Sequence, residues 1–134
     1  MSIVNFGSIN LDLVYNVDRF VRPGETLRAG DHRRLAGGKG LNQAIAAARL
    51  GGRVYLVGRV GRDRFADIPL EALRDAGVLD TYVESLPDAA TGSALIVVDR
   101  ASGENQIAIA PGANARVDAA AVRDAAAAFR ASSV

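Results

Sequence analysis

The stretch Ala36-Gly37-Gly38-Lys39-Gly40 constrains this chain more than any other. Glycines this dense are unfavourable inside a helix or strand, so they mark a loop. Directly after it, Leu41, Ala44, Ile45 and Ala48 fall at i, i+3, i+4 and i+7, the apolar stripe of a helix that Gly51-Gly52 closes. Beyond that helix, Arg53 to Gly58 is a continuous β-prone run, and Ile3 to Ser8 near the start is another. Strands alternating with a glycine loop and a helix predict an α/β unit with a parallel core.

The remaining elements follow from period and punctuation. Leu11, Leu13, Tyr15 and Val17 alternate as in a strand covered on one face, and Pro23-Gly24 ends it in a turn. Glu25 to Leu35 is read as a return strand. A second helix is predicted over Asp67 to Ala76, starting near Asp67 because Pro69 lacks an amide hydrogen and is tolerated only in a first turn. Ala94 to Val98 and Gln106 to Ile109, flanking the polar stretch Asp99 to Asn105, predict a β-hairpin with a long loop. Asp118 is expected to cap a last helix with Val122, Ala125, Ala126 and Phe129 on one stripe.

Composition then excludes several classes. A chain of 134 residues is long enough for one compact core, not for two full-sized domains. With 16 Lys and Arg against 15 Asp and Glu, the net charge of +1 provides no cationic field for nucleic acid. The absence of Cys removes disulfides, thiolate zinc sites and thiol nucleophiles. No apolar run approaches the ~20 residues of a membrane span. Met1 to Leu11 does not read as a secretory leader. A cytoplasmic location, without membrane or nucleic-acid partners, is the expectation.

Two segments stand out chemically. In Gly37 to Asn42 the glycines allow close backbone approach, helix-start amides are available to a polar ligand, and Lys39 is the only lysine among cations that are otherwise all Arg. A helix entry with a solvated lysine is the plain alternative. A Walker A loop is excluded, because Gly40 rather than Ser or Thr follows Lys39. In Ser8 to Asp12, Asn10 and Asp12 lie two residues apart and so share one face of an extended chain. A carboxylate there accepts hydroxyl hydrogen bonds and an amide both donates and accepts, although a turn device is the commoner use of such a pair. His32, beside Asp31, Arg33 and Arg34, reads as a solvated loop residue. Asp63, Asp67, Asp75 and Asp80 read as caps and surface charges, and neither a metal constellation nor a Gly-x-Ser-x-Gly elbow is present.

Five blocks together resemble a known family. They are Gly7-Ser8-Ile9-Asn10-Leu11-Asp12, Pro23-Gly24-Glu25-Thr26, Gly37-Gly38-Lys39-Gly40-Leu41-Asn42-Gln43-Ala44, Gly103-Glu104-Asn105 and Pro111-Gly112-Ala113-Asn114. In this order they resemble the amino-terminal half of the ribokinase-like PfkB carbohydrate kinases. The resemblance implies an α/β sandwich core, here incomplete, bearing a small β-sheet lid over residues 11–17, 25–35 and 94–110. It implies that Asn10, Asp12, Gly38, Lys39 and Asn42 hydrogen-bond a sugar, with ribose favoured, and that two lids pair in a homodimer. The family has aspartate where Arg62 stands and glycine where Ala66 stands, and Pro69 is unusual in its second helix.

The resemblance also implies that ATP, Mg²⁺, a monovalent cation and the catalytic base belong to a later half, marked by a Gly-Ala-Gly-Asp stretch that this sequence does not contain. Another core strand is expected to open at Ser132 to Val134. The chain, residues 1–134, is therefore read as the sugar-binding and lid half of a carbohydrate kinase, with no catalytic residue and no cofactor of its own, inactive alone. A non-catalytic sugar-binding or dimerisation module is the alternative, and an anion-binding domain built on the Gly37 to Gly40 loop ranks behind it.

Overall fold

The computed structural model describes residues 2–132. In chain order the elements are β1 (Ser2–Phe6), β2 (Asn10–Val17), β3 (Asp31–Gly37), α1 (Lys39–Arg49), β4 (Arg53–Gly61), α2 (Asp67–Asp75), β5 (Leu79–Leu86), β6 (Gly92–Asp99) and β7 (Asn105–Ala110). A 3₁₀ turn (Gly112–Arg116) and the short helices α3 (Ala119–Asp124) and α4 (Ala126–Ala131) follow. They build two sheets. The first is parallel, in the order β1-β4-β5; the second is mixed, in the order β3-β2-β6-β7. The fold is α/β, as the sequence pattern requires.

β4 is the centre of the first sheet, and its alternation sorts the layers. Val54, Leu56 and Val60 are fully buried in one core with Ile9, Leu41 and Ala44 of the α1 side and Leu73 of α2. The opposite face carries Arg59, whose guanidinium bonds Glu84 at 2.8 Å, meets Asp118 at 3.5 Å and bonds the Arg116 carbonyl, tying the 3₁₀ turn and α3 to the sheet. Period-two alternation therefore places helices on both faces of one strand. Each fully buried Leu or Val contributes roughly 1.5–3 kcal/mol through area removed from water.

In the second sheet β2 runs parallel to β6 and antiparallel to β3, and β6 and β7 form the expected hairpin. Register puts Asn10, Asp12, Ala94, Ile96, Ile107 and Ile109 on one face.

Several expectations need correction. The return strand begins only at Asp31, not Glu25; residues 25–29 form no strand, and the preceding turn is held by Glu25, which accepts from Arg19 and from the Arg22 amide at 3.1 Å. His32 lies in β3, not in a loop, and stacks on Tyr15 with ring centroids 5.5 Å apart. The last helix is divided at Ala125, and its inward residues are Ala125 and Ala128, while Val122 and Phe129 are 40% and 37% exposed. Alanines let this segment lie close to the sheet, so the larger side chains turn out. β5 had no counterpart in the sequence reading.

Other expectations hold. Asp118 caps α3, accepting from the amides of Ala120 and Ala121 at 2.9 and 3.1 Å. Pro69 sits in the first turn of α2. Ala66 has φ of −73°, so no glycine is needed there. Of the further strand expected at Ser132, positions 133–134 lie outside the described residues.

Candidate functional site

Where β1 gives way to β2, the chain meets the start of α1. Gly38 has φ of +96°, and a Cβ there would lie 2.5 Å from the Ser8 carbonyl oxygen. Only glycine turns the chain here at low cost. Ser8 then serves α1 from another element: its hydroxyl accepts from the Lys39 amide at 3.1 Å and its carbonyl from the Leu41 amide at 3.0 Å. The Asn42 amide bonds the Gly38 carbonyl at 2.9 Å. Most first-turn donors of α1 are thus already satisfied, which removes the helix-start amides as the main attraction for an anion. What α1 presents instead are the side chains of Lys39 and Asn42, three residues apart and so on one side of the helix.

Asn10 and Asp12 reach the same place from β2. Asn10 is only 8% exposed. Asp12 stands against β3 in the space left by a missing side chain, since a Cβ on Gly37 would collide with its carboxylate. Burial pushes the Asp12 carboxyl above its ordinary value. Asn10, Asp12, Gly38, Lys39 and Asn42 line one open cleft of about 330 Å³ with Ser8 and Asn114. Ala94, Ile96, Ile107, Ile109 and Pro111 form its apolar wall. All five sequence-derived site residues therefore converge.

Asn114 had no role assigned from sequence, though it belongs to one of the blocks that carry the resemblance. Its side-chain oxygen accepts from the Ile9 amide at 2.9 Å, and its NH₂ donates to the Ile9 carbonyl at 3.1 Å and to Asn10 Oδ1 at 2.8 Å. Gly92 leaves room for that pair, because a Cβ on it would run into both side chains. Nothing local reveals this contact, since 104 residues separate the partners.

The chemistry available is recognition. One carboxylate, one ammonium and three amides face an apolar wall, which suits a compact ligand with several hydroxyls and a carbon face. Among the described residues no three His, Cys, Asp or Glu side chains gather as metal ligands. A second cleft, of about 260 Å³ and lined by Gly58, Thr81, Tyr82, Glu84, Ala121 and Asp124, contains none of the five sequence-derived site residues.

Comparison with known proteins bears on the family and the fold. Ribokinase of Bacillus subtilis is 41% identical over 113 residues, covering 84% of this chain and 38% of that protein. Deoxyribokinase of Salmonella typhi is 41% identical over 114 residues, covering 85% and 37%. Among solved structures, Arabidopsis thaliana ribokinase complexed with ribose and ATP superposes with a TM-score of 0.77 at 40% identity, covering 84% of this chain and 36% of that one. Giardia lamblia ribokinase does so with a TM-score of 0.82 at 39% identity, covering 92% and 37%. The chain thus spans well under half the length of the relatives it matches. The family described as pfkB family carbohydrate kinase matches residues 1–134 from end to end, and with the fold and the five glycine-anchored blocks already in place, the chain belongs to that family.

Proposed function

We propose that this chain is the sugar-binding and lid portion of an ATP-dependent pentose kinase that transfers the γ-phosphate of ATP to the primary hydroxyl of ribose. The observation carrying this reading is the convergence of Asn10, Asp12, Gly38, Lys39 and Asn42 on one cleft. Asp12 accepts from hydroxyls, Lys39 and Asn42 donate to hydroxyl oxygens, and the isoleucine wall covers the carbon face. Ribose comes first because ribokinases recur among the relatives. Deoxyribose stands next to it, since a deoxyribokinase is equally similar.

In this reading the second sheet is the lid, formed by β2, β3, β6 and β7, and its closure excludes water from the transfer site. ATP, with Mg²⁺ and a monovalent cation, binds outside this chain, as does the catalytic base. Two copies pair through their lids, a reading supported by Ile107 and Ile109, which are 54% and 65% exposed. A cytoplasmic location completes the proposal.

Calorimetric titration tests it. The chain is expected to bind ribose, Asp12→Ala to abolish binding, and a coupled assay with ATP and ribose to show no turnover. Ribose-dependent ATP consumption by the pure chain, lost in Asp12→Ala, would overturn the division of labour; failure to bind any pentose would overturn the sugar site.

A further inference from the structure

We infer that Asn114 is a positioning residue of the sugar cleft, fixing Asn10 as a hydrogen-bond donor beside the acceptor Asp12. This rests on the cleft being a sugar site. A backbone N–H only donates and a backbone carbonyl only accepts, so the two bonds to Ile9, at 2.9 and 3.1 Å, dictate which end of the Asn114 amide is oxygen and which is nitrogen. The nitrogen therefore faces Asn10 at 2.8 Å, and Asn10 has to answer with its oxygen. With that oxygen engaged, the group Asn10 has left for a ligand is its NH₂, which makes no hydrogen bond to another described residue. Asn10 lines the cleft, so a donor faces it there.

An amide free to turn over offers either polarity, whereas a held one offers a single pattern. Here a donor from Asn10 stands near an acceptor from Asp12, two residues along the same face of β2. Neighbouring hydroxyls satisfy both, because one oxygen accepts from Asn10 while another O–H donates to Asp12. A phosphate or carboxylate satisfies Asn10 but brings its charge against Asp12. The pair thus selects the uncharged polyol end of a substrate.

The test uses the ¹⁵N-labelled chain, following side-chain amide exchange with water and ribose affinity by calorimetry. In the unsubstituted chain the Asn114 NH₂ protons should exchange more slowly than those of Asn10, with or without sugar. Asn114→Asp keeps an acceptor for the Ile9 amide but turns a second acceptor on Asn10. The Asn10 NH₂ should then swing onto that carboxylate and become protected, and ribose affinity should fall about tenfold, the equivalent of one hydrogen bond. On an Asn10→Ala background the same substitution should leave ribose affinity unchanged. Equal exchange of the two amides, or fully additive losses in the double variant, would overturn the assignment. Should Asn114→Asp not fold, the exchange pattern of the unsubstituted chain decides alone. Slow Asn114 exchange without ribose binding would leave the positioning role standing and remove the sugar reading; ribose binding without the exchange difference would do the reverse.

Discussion

Gly7 and Gly40 touch backbone to backbone where β1 ends and α1 begins: a Cβ on Gly7 would lie 2.8 Å from the Gly40 Cα, and one on Gly40 2.5 Å from the Gly7 carbonyl carbon. Neither neighbour is a flexible side chain, so nothing can yield without moving β1 or α1. Asn5 reinforces the contact, its amide donating to the Gly40 carbonyl at 2.6 Å. Gly40→Ala is expected to destabilise the chain by about 3 kcal/mol, the upper range for forced overpacking, despite the better helix propensity of alanine. Urea unfolding measures this; a stabilised variant would show that the two elements are not pressed together.

Asp12 sets stability against binding. Burial raises its pKa in the folded state above the unfolded value, so the folded chain holds its proton more tightly. The associated stability is complete below the ordinary carboxylate range and is lost as pH rises through the folded-state pKa. Asp12→Asn imitates the protonated form. It should melt above the parent at pH 7, match it near pH 3, and bind ribose at least tenfold more weakly, as loss of a charged acceptor does. Ribose affinity of the parent should itself fall as Asp12 becomes protonated. A variant melting below the parent at pH 7 would contradict this.

The apolar edge of the second sheet carries the dimer prediction. Ile107 and Ile109 pair with Ile96 and Ala94 across β6 and β7, extending the cleft wall out to solvent. Ile109→Glu should convert a sedimenting dimer to monomer, because an unpaired carboxylate at an apolar contact forfeits its hydration. A parent chain that sediments as a monomer at all concentrations would remove lid pairing.

What the sequence makes legible is what short-range physics decides. The stripe of α1, the start of α2 at Asp67 and the hairpin of β6 and β7 each follow from residues a few positions apart. β5 escapes because Leu79 to Leu86 alternates imperfectly among Asp80, Glu84 and Ser85, and its pairing with β4 shifts register between Tyr55 and Val57. Glu25 to Ala29 misleads in the opposite sense: its ion pair with Arg19 organises a turn that β-prone residues alone do not reveal. Among the site residues, Asn10, Asp12, Lys39 and Asn42 sit in dense local blocks, whereas Asn114 acts only through a fold that returns it to Ile9. His32 shows the same limit, since its stacking partner Tyr15 is set by strand register.

Asp63 makes a comparable long-range tie. Its carboxylate accepts from the Thr91 amide and hydroxyl, both at 2.8 Å, and from the Phe65 amide at 3.0 Å, while the Thr91 hydroxyl accepts from the Gly61 amide at 2.9 Å. Thr91 is only 3% exposed and precedes Gly92, which pairs with Asn10 in register. The loop after β4 thereby anchors the strand that borders the candidate cleft. Burial works against the charge on Asp63, but the bonds from Thr91 and Phe65 outweigh it and hold the carboxyl below its ordinary value. A lowered folded-state pKa contributes stability that is present above the unfolded value and is lost as pH falls through the folded one. Asp63→Ala leaves the Thr91 amide without its acceptor, so a loss of about 2 kcal/mol at pH 7 is expected. Because acid protonates the parent too, the gap between parent and variant should narrow from pH 5 downward. Urea unfolding at pH 7 and pH 3 checks both signs, and a gap of the same size at the two values would mean that the carboxylate charge contributes nothing to the tie.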